Sequence, residues 1–258
     1  MVFTFNKFHP LNPNWQQDIP NDLQFLFERI RLEHYEELYE PEADGTASLQ
    51  DTLTEVLELL RDKNQTITHL RYLWMTLIIT LVVEPTLQYY QPGNSRPRDI
   101  IMFIASYILA IVNGSINNYD NNIKSRFLSL SKTVSENRNY SIEKEIANFQ
   151  ILDEAIDVFD NAIRVCDYEQ AVEAILNILD DCLEGYAIFP GSYGRRELFD
   201  WWLLDVVPAS YNLLPPKSFY VVEGVKNKDK MKLLHLPSFS LLNQISSEIH
   251  NITLQQAI

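Results

Sequence analysis

Apolar side chains recur at three- and four-residue steps along most of the chain, which is the spacing of one face of an α-helix. The first series predicts a helix over 21–39 that ends before Pro41. Further series predict helices over 100–112, 116–134, 141–166 and 167–185. The most regular series contains Leu49, Leu53, Val56, Leu60, Ile67, Leu70, Trp74, Leu77 and Leu81.

That regular series is compatible with one long helix over 46–84 or with two shorter ones. A single helix would be about 58 Å long at ~1.5 Å per residue. A compact body of this chain length is about 47 Å across. A break near 64–66 therefore fits better, with a projecting coiled-coil arm as the alternative. At its far end the helix is expected to stop at Pro85, because proline cannot donate the helical hydrogen bond.

The last part of the chain has a different texture. A short helix is expected to begin at Arg195 and to stop at Pro208. Segments 218–223 and 231–236 are rich in aromatic, β-branched and other apolar residues and flank a polar connection, which predicts a β-hairpin. A last helix follows Ser238.

These elements predict a mainly α fold, an irregular bundle of about eight helices with a small C-terminal β-hairpin. We expect a helical bundle over 1–190 with an extended, proline-containing N-terminal arm, and a helix–hairpin–helix appendage over 191–258 packed on it. One continuous domain is the alternative.

Charge and cysteine content narrow the class of protein. The formal net charge of −14 repels phosphate backbones, so nucleic acid is not an expected partner. Cys166 and Cys182 both fall in apolar helical patterns, which indicates buried free thiols rather than a disulfide or zinc site. The N-terminus lacks the pattern of a secretory signal. We therefore expect a soluble cytoplasmic protein.

Two apolar runs raise the question of a membrane. They cover 72–83 and 100–112 and contain no charged residue. A spanning helix needs roughly 20 apolar residues, and shorter runs are typical of buried core helices. We expect the two runs to form the central pair of a helical core, and membrane insertion is not expected.

Two acidic motifs resemble those of magnesium enzymes. Glu154 and Asp157, followed by Asp181 and Glu184, resemble the paired carboxylate signatures of all-helical nucleotide pyrophosphohydrolases. The same segments resemble the aspartate-rich motifs of prenyl-transferring enzymes. Such resemblance implies carboxylates on two helices that hold Mg²⁺ against a phosphate chain.

Helical phase argues against that metal site. At ~100° per residue, Asp157 lies about 130° from the apolar centre of its helix. Asp181 and Glu184 lie on the side opposite to the apolar face of the following helix. If the two helices pack through their apolar faces, these carboxylates point to water. We therefore expect no metal and no cofactor, with magnesium as the alternative.

Histidines offer no metal site either. His34 lies on the apolar side of the predicted first helix, and a partly buried structural role is favoured. A di-iron bundle would require a Glu-x-x-His pair on facing helices, and no such pair occurs. No nucleophile elbow or phosphate-binding loop is present, since the glycine spacings fail.

The segment 189–202 concentrates the residue types that anchor protein interfaces. Its candidate partner-binding residues are Tyr193, Arg195, Arg196, Trp201 and Trp202. Arginines that open a helix oppose its dipole, so they gain from an anionic or carbonyl partner. That partner can be internal or external, and the sequence leaves both open.

The function that we infer from the sequence is a non-enzymatic protein-binding or assembly factor. It would act through contacts with a protein partner, or as a homodimer. The first alternative is a Mg²⁺-dependent all-α phosphohydrolase of nucleotides, and the second is a membrane-associated protein.

Overall fold

The computed structural model describes residues 19–38, 47–114, 146–184, 194–217 and 240–251. Their helices are α1 (Asn21–Ile30), α2 (Leu49–Leu59), α3 (Gln65–Tyr90), α4 (Arg96–Val112), α5 (Ile146–Arg164), α6 (Ala171–Leu183), α7 (Gly194–Trp201), α8 (Val207–Asn212) and α9 (240–251). These residues form no strand, so the mainly helical fold is confirmed for them. The predicted hairpin over 218–236 and helix over 116–134 lie outside the described residues.

Helix α3 is the centre of the bundle. Its side chains are buried on every side from Thr68 to Leu87, and it packs against α4, α5, α6 and α8. Two of its buried hydroxyls are satisfied within the helix, since Thr76 donates to the carbonyl of Tyr72 and Thr80 to that of Thr76. Burial of apolar area at about 25 cal/mol per Å² makes this helix the main source of core stability.

Among the described helices, one is long and apolar enough to cross a membrane, which is α3 over 65–88. Within its most apolar window, 89% of the residues are buried inside the protein. The apolar runs over 72–83 and 100–112 thus lie in α3 and α4, which pack against each other.

The regular apolar series is divided between two helices, as the length argument favoured. Helix α2 ends at Leu59 and α3 begins at Gln65. The Asn64 side chain caps α3 by accepting a 2.9 Å hydrogen bond from the amide of Thr66. The Arg71 guanidinium donates to the carbonyl of Leu60, just after α2. Side chains at the break therefore bond to a free amide at the start of α3 and to a free carbonyl at the end of α2.

Helix α3 does not stop at Pro85, so that prediction is wrong. The helix continues to Tyr90, although an internal proline costs about 3 kcal/mol. Val82 and Val83 before the proline and Leu87 after it are all buried. Their burial offsets the missing hydrogen bond, since each such side chain contributes about 1.5–3 kcal/mol.

The first helix is shorter than predicted. Helix α1 ends at Ile30, and a 3₁₀ turn covers Glu36–Leu38. Because the chain leaves the helical path after the turn at Arg31 and Leu32, Tyr35 becomes fully buried and His34 is exposed. The expectation that His34 is partly buried is wrong for this reason.

Pro208 does not end the helix that begins at Gly194, contrary to the prediction. A π-helical segment, Trp202–Val206, joins α7 to α8, and Pro208 lies just after it. The amide of Val207 bonds to the carbonyl of Trp202, five residues back. Proline is tolerated near a helix start, where its missing N–H has no intrahelical partner to lose.

Two α3 side chains hold the end of α8. The Arg71 Nε donates to the carbonyl of Tyr211 over 3.1 Å, and its guanidinium lies over the Tyr211 ring. The Trp74 Nε1 donates to the carbonyl of Leu214 over 2.8 Å. Residues 194–217 are therefore anchored to the helix at the centre of the bundle. The division of the chain at 190 stays a prediction.

An ion pair between a buried carboxylate and a partly exposed guanidinium links α3 to α4. The Glu84 carboxylate is buried beside the guanidinium of Arg98, with 3.4 Å between Oε2 and Nη1. Burial raises the pKa of Glu84, while Arg98 opposes that shift. The arginine thus compensates a charge that α3 brings into the core.

Removal of this counter-charge gives the first prediction. The substitution Arg98→Met should lower the free energy of unfolding by about 1–2 kcal/mol, because Glu84 loses a hydrogen-bond donor. Urea denaturation at neutral pH measures the loss. Adding Glu84→Gln to Arg98→Met should recover part of it, and a double variant less stable than Arg98→Met alone would contradict the ion-pair argument.

Candidate functional site

The arginine- and tryptophan-rich segment lies on the inner side of the protein. Trp201 and Trp202 are 9% and 1% exposed, and Arg195 is 8% exposed. The Trp202 indole stacks near Phe199, with ring centroids 5.9 Å apart. Tyr193 lies outside the described residues. In the described part of this segment, 194–202, both tryptophans and Arg195 therefore face the interior.

Arg196 binds the chain that follows α1. Its Nη1 donates to the carbonyl of Glu33 over 3.2 Å, and its Nη2 to the carbonyl of Arg31 over 3.3 Å. Its Nε donates to Asp200 Oδ1 one turn further along α7, at 3.1 Å. The guanidinium group therefore holds the chain after α1 against α7 with two directional bonds, and the bond to Asp200 within α7 orients it.

Arg195 connects three parts of the fold. Its Nη1 donates to the carbonyl of Glu37 over 3.2 Å, and its Nη2 donates to the carbonyl of Glu184 at the end of α6. Carbonyls at a helix C-terminus lack intrahelical donors and carry partial negative charge. The two arginines thus receive the carbonyl partners that their place at a helix start requires, and those partners are internal. Partner binding through this segment stays a prediction.

The four candidate magnesium ligands come from α5 and α6, which pack closely together. Glu154, Asp157 and Asp181 are partly buried, whereas Glu184 is exposed. The Oδ2 atom of Asp181 has no solvent exposure and, within the described part of the chain, accepts no hydrogen bond from an N–H or hydroxyl group. The neighbouring groups that act on the Asp181 carboxyl group are acidic, and Glu154 across the helix pair acts most strongly among them. The expectation that these carboxylates all face water is wrong for Asp181.

Burial and acidic neighbours dominate the electrostatics of this pair, although a hydrogen bond with Asp181 lowers the pKa of Glu154. Burial raises the pKa of Asp181 to about 8, and Glu154 and Asp157 add to the shift. Burial also raises the pKa of Glu154, and Glu184, Asp157 and Asp180 act in the same direction. The groups that act most strongly on Asp181 are therefore all acidic.

These carboxylates meet in a pair rather than as a ligand shell. Among the described residues, no three His, Cys, Asp or Glu side chains are arranged to hold one metal ion. Cys182, beside Asp181, is buried, and burial raises the pKa of its thiol. Cys166 is likewise buried and free, as predicted. A cation at Glu154 and Asp181 would need further ligands to move toward it.

The most exposed apolar side chains of the described chain belong to α1 and the turn after it. Phe25 is 68% exposed and Leu32 is 82% exposed. Helical hydrogen bonding continues past Ile30, since the amide of Leu32 bonds to the carbonyl of Arg29. Seven residues make about two helical turns, so Phe25 and Leu32 lie on one side of α1. We name these two residues the α1 apolar pair.

The backbone beneath the α1 apolar pair is held in place. Arg196 binds the carbonyls on either side of Leu32, those of Arg31 and Glu33. The buried Tyr35 hydroxyl donates to the Glu33 carboxylate over 2.8 Å and accepts a hydrogen bond from Thr52 of α2. Leu32 is therefore presented to solvent on a braced turn.

Acidic residues lie close in sequence to the α1 apolar pair. Asp22, Glu28, Glu36 and Glu37 are all exposed. The nearby Arg29 is engaged by Glu55 of α2 and by Glu33. The surface thus combines two large apolar side chains with net negative charge, which complements a partner with an apolar pocket and a basic rim.

Sequence reasoning missed the α1 apolar pair because it used only the apolar residues that follow the helical period. Phe25 and Leu32 fall outside the buried series of Leu23, Leu26, Phe27 and Ile30. The sequence signal that could have identified the pair is the presence of large apolar residues on the polar side of an amphipathic helix.

The described chain defines the protein as a member of the mainly helical class, an irregular bundle around one buried central helix. Comparison with protein-family models, with curated proteins and with solved structures finds no match to this chain. Its functional assignment therefore rests on its own residues.

The role of Arg196 as a brace gives the second prediction. Arg196→Lys should lower the melting temperature by several degrees, because an ammonium group cannot reproduce the planar fork that binds two carbonyls and Asp200. Differential scanning calorimetry measures the change. Arg61→Lys is the matched control, since Arg61 makes an exposed pair with Glu58 and its replacement should change little. Equal effects of the two substitutions would contradict the brace.

Proposed function

We propose that this protein is a non-enzymatic binding factor that acts through contact with a protein partner, and that the α1 apolar pair is the centre of the contact. The observation that carries the proposal is the exposure of Phe25 and Leu32 on one side of a braced helix end. Isolated exposed apolar residues are common on protein surfaces. Two large ones held on one side of a fixed backbone are less common, and they favour a contact surface.

Rigidity supports this choice because binding costs less when the contacting groups are ordered beforehand. The Arg196 bonds fix the turn that carries Leu32, and the Arg29–Glu55 ion pair ties α1 to α2. In this proposal the arginine-rich segment contributes to binding indirectly. It positions the surface and does not itself touch the partner.

Charge decides which partner the surface favours. The whole chain carries −14, and the exposed groups around Phe25 and Leu32 include four carboxylates. Opposite charge on the partner would raise the association rate, and salt would weaken that effect. We therefore propose a protein partner with an apolar pocket inside a basic rim.

The third prediction tests this surface. The double variant Phe25→Ser, Leu32→Ser should fold as well as the wild type, because both side chains are exposed. It should lose the partner that wild-type protein recovers by quantitative affinity purification from the native cell. With the purified partner, Kd should rise by about 10- to 100-fold, the effect expected for two interface anchors.

Met102→Ser is the matched control, since Met102 is 42% exposed on α4 and lies outside the proposed surface. Identical partners for wild type, double variant and control would contradict the proposal. Light scattering of the purified chain distinguishes self-association. If the wild type is a dimer and the double variant is a monomer, the surface binds a second copy of the chain. That result would overturn the proposal of a different protein partner.

A second candidate function is favoured by the contact between carboxylates of α5 and α6. A Mg²⁺-dependent phosphohydrolase would use Glu154, Asp157, Asp181 and Glu184 as ligands. The pairing of Glu154 with Asp181 supports it, because partly buried acids without a basic neighbour among their strongest influences favour a cation. The missing third ligand in the described residues counts against it.

The fourth prediction separates this candidate from the first. If the carboxylates bind magnesium, millimolar MgCl₂ should raise the melting temperature of the wild type by several degrees through mass action. Asp157→Asn should abolish the rise, and the exposed control Asp153→Asn should keep it. A wild type with no magnesium-induced shift and no hydrolysis of nucleoside triphosphates would remove the candidate.

A further inference from the structure

A third exposed apolar side chain lies on α2, the helix that packs against α1. Leu59 is the last residue of α2 and is 36% exposed. The two helices run antiparallel, because the amide of Ala47 before α2 bonds to the carbonyl of His34 after α1. Further along the pair, Arg29 forms an ion pair with Glu55. These two contacts fix which residues of α1 lie opposite which residues of α2.

This register places apolar side chains at both ends of the Arg29–Glu55 ion pair. Phe25 precedes Arg29 by one helical turn and Leu59 follows Glu55 by one turn, so in an antiparallel pair both lie toward the same end. Leu32 lies one turn from Arg29 toward the other end. We name Phe25, Arg29, Leu32, Glu55 and Leu59 the α1–α2 face. It presents an ion pair between two apolar ends.

The backbone that carries Leu59 is held by the central helix. The Tyr72 hydroxyl of α3 donates to the carbonyl of Leu57 over 3.0 Å. The Arg71 Nη1 of α3 donates to the carbonyl of Leu60, also over 3.0 Å. Leu59 lies between these two acceptors, so its position is fixed. The α1–α2 face is therefore ordered before binding on both of its helices, which lowers the cost of association.

The charge of the two helices limits what can cover this face. Residues 19–38 and 47–60 contain eight carboxylates and two arginines. Exposed carboxylates flank the face on both helices, Glu28 on α1 and Asp51 and Glu58 on α2. A second copy of the chain would bring the same acidic surface against itself, and like charges across an interface are unfavourable. The face therefore favours a basic occupant over self-association.

We propose that the α1–α2 face binds a basic amphipathic helix of the protein partner, laid along α1 and α2. Phe25 and Leu32 are separated by about 10 Å along α1, which matches apolar positions two turns apart on the bound helix. Each exposed side chain inserts between side chains of that helix, as a knob enters a hole. The lysines or arginines of the bound helix then meet the flanking carboxylates. This binding mode rests on the proposed function and specifies the apolar pocket and basic rim as parts of one helix.

The fifth prediction uses a synthetic probe, a labelled peptide of about 18 residues made of leucine, alanine and lysine, with its leucines on one helical face. Fluorescence anisotropy measures its Kd for the full chain. This Kd should be about tenfold lower than that of an isomeric peptide whose leucines are spread around the helix, because only the first peptide presents an apolar face. Equal Kd values for the two isomers would overturn the proposal.

The variant Leu59→Ser tests the part of the face that α2 supplies. It should raise the Kd of the amphipathic peptide by about five- to tenfold, the effect of losing one apolar anchor. Met102→Ser is the matched control and should leave Kd unchanged, because Met102 is exposed on α4. Independently of any variant, the bound peptide should slow hydrogen–deuterium exchange over both 21–33 and 49–60. A wild-type Kd for Leu59→Ser, or protection confined to other segments, would overturn the proposal.

The purified native partner separates failure of this binding mode from failure of the proposed function. If the Phe25→Ser, Leu32→Ser variant loses the partner while Leu59→Ser keeps the wild-type Kd, the proposed function stands and the α1–α2 face is overturned. If neither variant changes Kd, both are overturned. Analytical ultracentrifugation tests the remaining occupant. A wild-type dimer that becomes a monomer in Leu59→Ser would show that the face binds a second copy, which overturns the basic helix.

Discussion

The enclosure of α3 is the constraint on which the rest of the structure depends. A helix with apolar side chains on every side is stable in water only when other helices cover it completely. Helices α4, α5, α6 and α8 provide that cover. Each polar group that α3 carries inward is then matched, as Thr76 and Thr80 are by carbonyls and Glu84 is by Arg98. The bundle is irregular because its helices are arranged around one axis rather than in pairs.

Arginines connect the outer helices to this core. Arg71 joins α2, α3 and α8, while Arg195 and Arg196 join α7 to the ends of α1 and α6. In most of these bonds the acceptor is a backbone carbonyl near a helix end, where the carbonyls lack intrahelical donors. A guanidinium can serve several such acceptors at once because its donors lie in a fixed plane. Arginines, which often anchor contacts between proteins, here connect parts of one chain.

The core could be predicted from the sequence, and the ends of several helices could not. The apolar runs of α3 and α4 predict a buried central pair of helices. Length predicts a break near 64–66, and the structure has the break between Leu59 and Gln65. Helix ends were wrongly predicted at Pro85 and Pro208. Helix propensity is a local property, whereas the burial of neighbouring side chains depends on the whole bundle. The position of His34 was wrongly predicted because the chain leaves the helical path after Leu32, so the helical period no longer applies to His34.

The candidate sites, too, could be predicted only in part. Helical phase identified which face of α6 carries acids, but the crossing of two helices decides whether an acid at the edge of that face meets water or its neighbour. Asp181 lies at such an edge, next to the buried Cys182. The bonds from Arg195 to Glu37 and from Arg196 to Glu33 span more than 150 residues of sequence, and no local pattern could reveal these acceptors.

The π-helical segment over Trp202–Val206 has a consequence for how this chain tolerates change in length. A π turn is equivalent to one residue inserted into an α-helix. Deleting a residue there would restore an ordinary helix and turn everything beyond it by about 100° relative to α7. The carbonyls of Tyr211 and Leu214 would then leave Arg71 and Trp74. The extra residue is therefore what allows α7 and α8 to satisfy separate partners while forming one nearly continuous rod.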